Sequence, residues 1–101
     1  MRDHELIAKY MRLRERGGRI VLEVAIVMWE GAHTPYPEWQ VFHRWLKHPS
    51  PGRLCVVQGE ALATPGLFAR CLICGKRNNR GHMFSPVLCH GCAERTLGIV
   101  F

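Results

Sequence analysis

A chain of 101 residues suffices for one domain, or for a small core carrying a metal-stapled module, and excludes two ordinary domains. With 48% hydrophobic and 22% charged residues it is not a disordered chain, which would lack the apolar surface to offset its conformational entropy. The net charge of +6 favours an anionic partner and says nothing about fold.

The charge is unevenly spread: residues 1–19 carry +3, residues 20–69 carry −1 and residues 70–101 carry +4. Arginine supplies 11 of the 14 positive charges. Guanidinium suits bidentate contacts with phosphate or carboxylate, although a GC-rich genome gives the same excess. Met1 to Tyr10 mix charged and apolar residues with no unbroken hydrophobic run, so the protein is expected to stay in the cytoplasm. The longest apolar stretch, Ile20 to Trp29, is ten residues and holds Glu23, whereas a membrane-spanning helix needs about 20.

In chain order, Asp3 is expected to cap a first helix running to about Arg16. Leu6, Ile7, Tyr10, Met11 and Leu13 recur on one face, and Gly17-Gly18 ends it. Lys9, Arg12, Arg16 and Arg19 then form a basic stripe along its outer side, a pattern that more commonly marks a solvated face. The run 20–29 is rich in β-branched residues and bounded by glycines, which favours a buried strand, while its length also suits a buried helix.

Thr34-Pro35-Tyr36-Pro37 reads as a turn into a second helix that Pro49 stops. Trp39, Phe42, Trp45 and Leu46 face its core side, though two tryptophans on one stripe also suit a docking surface. Ser50-Pro51-Gly52 is a further turn, and Leu54 to Gln58 reads as a short strand with Cys55 as a small core residue. Thr64-Pro65-Gly66 marks the boundary between a small domain at 1–69 and a cysteine module at 70–101. The expected class is α+β: two amphipathic helices and a short sheet, followed by that module.

The module carries the most specific signal. Cys71-Leu-Ile-Cys74-Gly75 and Cys89-His-Gly-Cys92 are two CxxC pairs separated by fourteen residues. Each pair forms a tight turn whose backbone amides point at the sulfurs, and together they supply a tetrahedral S4 shell. Thiolates suit one structural zinc ion, or less often iron. Disulfides are disfavoured by the odd cysteine count, and a redox dithiol by the lack of a βαβ setting. His82 and His90 are the alternative ligands. Four thiolates leave a net charge of −2 around a divalent ion, which Lys76, Arg77 and Arg80 are placed to offset.

Asn78-Asn79-Arg80-Gly81 reads as a turn from which His82 to Leu88 pairs back as the second arm of a hairpin, and Cys92 to Leu97 reads as a short helix. This order resembles a treble-clef zinc finger. Gly81-His82-Met83-Phe84 with Leu88-Cys89-His90-Gly91-Cys92 is similar to the corresponding part of GATA-type fingers. The likeness covers the last third of the chain and implies a fold more than an activity, since treble clefs also serve as protein-binding modules and as structural staples. GATA-type fingers continue into a basic tail, whereas apolar Leu97-Gly-Ile-Val-Phe follows here.

No catalytic triad order, phosphate-binding glycine loop, HExxH helix or deaminase pattern can be read, so an enzyme with a small-molecule substrate is not expected. The expected function is regulatory. Arg70, Lys76, Arg77, Arg80 and Arg95, extended by Arg12 and Arg16, would contact the phosphates of a nucleic acid. The alternative is an inhibitor or adaptor of the phage or mobile-element kind, docking on a host polymerase or nucleic-acid-processing complex.

Overall fold

The computed structural model describes residues 2–31 and 33–98. Its elements are α1 (Asp3–Tyr10), β1 (Met11–Arg16), β2 (Arg19–Trp29), β3 (Pro35–Trp45), α2 (Pro51–Leu62), β4 (Phe68–Arg70), β5 (Arg77–Asn79), a 3-10 turn (Arg80–His82), β6 (Met83–Ser85), β7 (Leu88–Cys89) and α3 (His90–Leu97). The class is α+β, with three small antiparallel sheets ordered β1-β2-β3, β4-β5 and β6-β7.

The first helix is half as long as expected. Arg2, not Asp3, occupies the cap position, and its backbone N–H donates to Glu5 Oε1 at 2.9 Å. The helix stops at Tyr10, and Met11–Arg16 becomes a strand. Gly17 and Gly18 have φ of 58° and 77°. Two positive φ values in a two-residue loop fit the tight hairpin turn whose twist matches the flanking strands, so the glycines join β1 to β2 instead of ending a helix. The alternation Met11, Leu13, Glu15 against Arg12, Arg14, Arg16 is the period-two pattern of this strand.

The expected strand over 20–29 is present as β2, the eleven-residue central strand. The helix expected from Pro37 is instead β3, an edge strand. Its pairing steps from Leu22↔His43 to Glu23↔Val41, leaving Phe42 as an extra, bulged residue. Trp39 stands opposite Ala25 and Trp45 opposite Ile20, so the inserted residue puts the two tryptophans on opposite faces of the sheet, and with Phe42 they are partly buried against the core. Leu46, expected with them on one helix face, is exposed.

The strand expected at 54–58 is part of α2. Ser50 Oγ accepts from the Arg53 N–H at 3.2 Å and Pro51 opens the helix, a start pattern in which the proline gives up no needed donor. Val57, Ala61 and Leu62 enter the core, while Cys55 lies on the exposed side and is not the core residue expected. In the cysteine module the arms also differ from expectation: β5 pairs with β4 around the first cysteine pair, and β6 pairs with β7 just before the second. Residues 78–81 are therefore the end of a strand and a 3-10 turn. The apolar residues 99–101 lie outside the described residues.

Two apolar clusters result. The larger joins α1, the three-stranded sheet, α2 and Phe68, and the smaller surrounds Cys71, Met83, Cys89 and Cys92. Between them lies Asn79, which is 1% exposed. β1 pairs with β2 only as far as Val24, because the chain turns into α1 beyond Met11. Just past that point Asn79 Nδ2 donates to Ala25 O at 2.8 Å, and the Val27 N–H donates to Asn79 Oδ1 at 3.0 Å. One carboxamide thus serves the β2 backbone as a neighbouring strand would. Gly81 also lies against this backbone: a Cβ there would stand 1.9 Å from Val27 O. Its carbonyl accepts from Trp29 Nε1 at 2.8 Å.

Asn79→Ala orphans a buried donor and a buried acceptor and is expected to cost about 2 to 4 kcal/mol in urea unfolding. Gly81→Ala should also destabilise, by forcing the turn off Val27. Midpoints equal to the parent's would show that the module does not lean on β2.

Glu23 is the other buried polar side chain, at 2% exposed, and its carboxylate meets Arg12 Nε at 2.8 Å and Arg16 Nη2 at 2.9 Å. Burial works to raise its pKa. The hydrogen bond from Arg12 and the charges of Arg16, Arg12 and Arg14 outweigh it, so the carboxyl sits below its ordinary value of 4.5. The resulting stabilisation is complete above pH 4.5 and is lost as pH falls through the folded value. Glu23→Gln should be less stable than the parent at pH 7, with the gap closing on acidification. A gap independent of pH would mean that the ion pairs contribute nothing.

Candidate metal centre

The first cysteine pair sits in the turn between β4 and β5. The Cys71 N–H donates to Lys76 O at 3.0 Å and the Gly75 N–H donates to Cys71 O at 2.9 Å, which closes the loop on itself. Arg70 Nη1 donates to Gly75 O at 3.0 Å and braces it from outside. A bond from the Leu72 N–H to Val87 O, 2.8 Å, holds this turn against the β6-β7 hairpin. Cys89 ends β7 and caps α3, and Cys92 lies in the first turn of that helix. The second pair is therefore at a helix N-terminus, where unpaired N–H groups favour negative charge.

These supports bring the four sulfurs within 4.8 Å of one another, and Cys74 Sγ lies 3.9 Å from Cys89 Sγ. A disulfide needs about 2.05 Å. A tetrahedron with metal–sulfur bonds of about 2.3 Å has edges of about 3.8 Å, so the spacing fits four ligands around one ion. Cys71, Cys89 and Cys92 are buried and Cys74 is exposed. Among the described residues the cluster able to share an ion consists of the four cysteines, without His82 or His90.

The thiols are not equivalent. Backbone N–H groups of Cys74, Cys89 and Ile73 lower the Cys71 pKa to about 6 against the opposing effect of burial. Burial, followed by hydrogen bonding with Cys89, Cys71 and Cys74, raises Cys92 to about 12. Backbone amides thus support one thiolate here, while burial and the neighbouring thiols resist the next, so holding four thiolates together calls for a cation at the centre. Arg95 Nη2 donates to Cys92 Sγ at 3.2 Å and supplies part of the outer positive charge.

The basic residues expected to form one surface separate into two groups. Arg12 and Arg16 are drawn to Glu23, and Arg77 Nη1 reaches Asp3 Oδ2 at 2.8 Å. Arg70 braces the first turn, and Arg80 is half-buried in the 3-10 turn. Lys76 and Arg95 do come together, in a groove of about 390 Å³ between α1 and the cysteine module that Lys9, His82 and His90 also line. The helical stripe does not exist, since Lys9 alone of its four members lies on α1. Sequence reasoning placed Lys9 in that stripe but not in the site. The two histidines, read only as possible ligands, instead sit edge-on or tilted to the Trp29 ring at 5.7 and 6.2 Å.

No family model matches this sequence, and no curated protein or solved structure matches it. Among the described residues no helix is long and apolar enough to cross a membrane.

Cys74→Ser is the informative ligand variant, because Cys74 is exposed and its replacement leaves the packing intact. Metal content by atomic emission should fall from one ion per chain towards zero, with loss of order in the module. Full retention would mean that the ligand set is wrong.

Proposed function

We propose that the protein is a small zinc-stapled module that binds nucleic acid through the groove between α1 and the cysteine cluster. The observation that carries this reading is the convergence of Lys9, Lys76 and Arg95, with His82 and His90, on one concave surface that Cys74 and Cys89 also line and that no carboxylate enters. Zinc is the ion that an all-thiolate tetrahedral site with no open position suits best, and its role is structural. The order of first cysteine pair, hairpin and second pair at a helix start supports a treble-clef-like arrangement, with the likeness to GATA-type fingers confined to this part. Contacts from lysine and arginine to phosphates give affinity with little choice of sequence.

One observation favours a second reading, docking on a protein as an inhibitor or adaptor. Leu72 and Ile73 in the first cysteine turn and Val87 in the β6-β7 turn are exposed, and Leu72 and Val87 are joined through the backbone. Salt separates the two readings, since phosphate contacts weaken steeply with ionic strength and an apolar dock does not.

Lys9→Glu with Lys76→Glu should lower affinity for generic nucleic acid at least roughly tenfold at moderate salt, and should reduce the log–log salt slope by roughly one per lysine. Arg53→Glu, on the exposed side of α2, serves as the charge control. Equal losses in both variants would place the contact elsewhere.

A further inference from the structure

Strand pairing sorts the charges of the three-stranded sheet by face. Residues opposite one another in an antiparallel register share a face, and neighbours along a strand alternate. Arg12, Arg14 and Arg16 on β1 stand opposite Glu23, Val21 and Arg19 on β2, so Arg19 is on their face. Val21 also stands opposite Arg44 on β3, which brings that residue to the same face. Every arginine of this sheet therefore lies on one side, with Glu23 as the only strand carboxylate among them. The other two strand carboxylates, Glu15 and Glu38, stand opposite Ile20 and Ile26, on the side that sends Met11, Leu22 and Val24 into the larger core.

Three of these arginines are left free. Glu23 holds Arg12 and Arg16, whereas Arg14, Arg19 and Arg44 are exposed and have no ion-pair partner among the described residues. Val21, flanked by Arg14 and Arg44, is 1% exposed and belongs to neither apolar cluster. Arginine stems cover apolar surface in this way while the guanidinium stays in water. Arg44 reaches this face because of the bulge at Phe42, since unbroken pairing from Glu23↔Val41 would set it opposite Ile20 on the core side. A bulge that re-aims one charged side chain onto a face already carrying the others is a feature of function more than of packing.

The arginine face and the cationic groove lie on the same side of the molecule. The Arg12 guanidinium is 3.9 Å from the Trp39 ring centroid. Trp39 lines a concavity of about 270 Å³ together with Lys9 and His82, and those two residues also line the groove. We propose that Arg14, Arg19 and Arg44 form a second phosphate-contact surface, which extends the groove's hold on a nucleic acid along the sheet. This rests on the nucleic-acid reading above and lengthens its footprint. A nucleic acid can meet both surfaces at once, because one strand presents a phosphate about every 3.4 Å along the helix axis and the protein is 49 Å long. Each guanidinium offers a planar fork that takes two phosphate oxygens.

The test uses the full zinc-loaded chain and fluorescence anisotropy across a salt series, with a labelled mixed-sequence DNA duplex of about 20 base pairs and one of its single strands, both longer than the protein. Arg14→Gln and Arg44→Gln should each lower the log–log salt slope by about 0.9 and weaken binding roughly fivefold near 0.1 M salt. Arg53→Gln, the same charge change on the exposed side of α2, should alter neither. Metal content and circular dichroism establish that the variants are folded. A measurement without variants accompanies them: bound DNA should protect Arg14 and Arg44, but not Arg53, from an arginine-selective dicarbonyl reagent read by mass spectrometry. Unchanged affinity, slope and modification at Arg14 and Arg44, with the Lys9/Lys76 variant still weakened, would overturn the arginine face and leave the groove standing. Losses in the arginine variants alone would keep the face and overturn the groove. No binding to either probe at low salt would overturn both.

Discussion

Asn79 stands where two incomplete structures meet. β2 is longer than the strand beside it, because the chain before Met11 is spent on α1, and so its edge beyond Val24 faces no neighbour. Backbone groups left in that position would be buried without partners, at a cost comparable to a large share of a small domain's stability. The Asn79 carboxamide donates to Ala25 O and accepts from the Val27 N–H at once, and the Gly81 N–H shares its oxygen at 3.1 Å. Since Asn79 lies between the two cysteine pairs, the segment that the metal would order is also the segment that completes the sheet. Metal binding and packing of the larger core are thereby coupled.

Electrostatics divides the positive charge by the same logic of completion. Glu23 is buried on the central strand and draws in two arginines, a third goes to Asp3 on α1, and a fourth closes the first cysteine turn. Charge spent in these ways is not displayed to a partner. Lys9 and Lys76 have no carboxylate partner among the described residues, and the fold gathers them on one groove with Arg95, whose guanidinium also donates to Cys92 Sγ, although the three are far apart in the chain. Net charge is therefore a poor guide to where an anion would bind, while its distribution after folding is a good one.

Within the cysteine module the four clustered thiols can close a shell around one ion, and their neighbours divide the remaining work. Arg95 contacts a ligand sulfur while also lining the groove, and His82 and His90 surround Trp29 beside it. The groove and the metal centre therefore share a wall. A ligand in the groove would rest on a surface whose shape a metal at this centre would maintain.

The sequence by itself pointed to the four cysteines that the fold brings within 4.8 Å of one another, because CxxC spacing is local and the turn it makes is intrinsic to a few residues. It favoured a strand for β2 through the β-branched run, while the length of that run left a buried helix open. What it left open was decided by pairing between distant segments. Met11–Arg16 carries both a helical and an alternating pattern, and only the presence of β2 across a Gly-Gly turn selects the strand. Trp39, Phe42 and Trp45 have the apolar spacing of a helix, but in β3 the bulge at Phe42 divides the tryptophans between the two faces of the sheet, so that element was legible only from its register against β2. Ser50-Pro51 did carry the helix start of α2 in its own chemistry, but the adjacent valines weighed towards a strand. The groove had no local signature at all. It exists because tertiary packing sets α1 and the cysteine module side by side, and long-range proximity is the property that residue spacing along a chain does not encode.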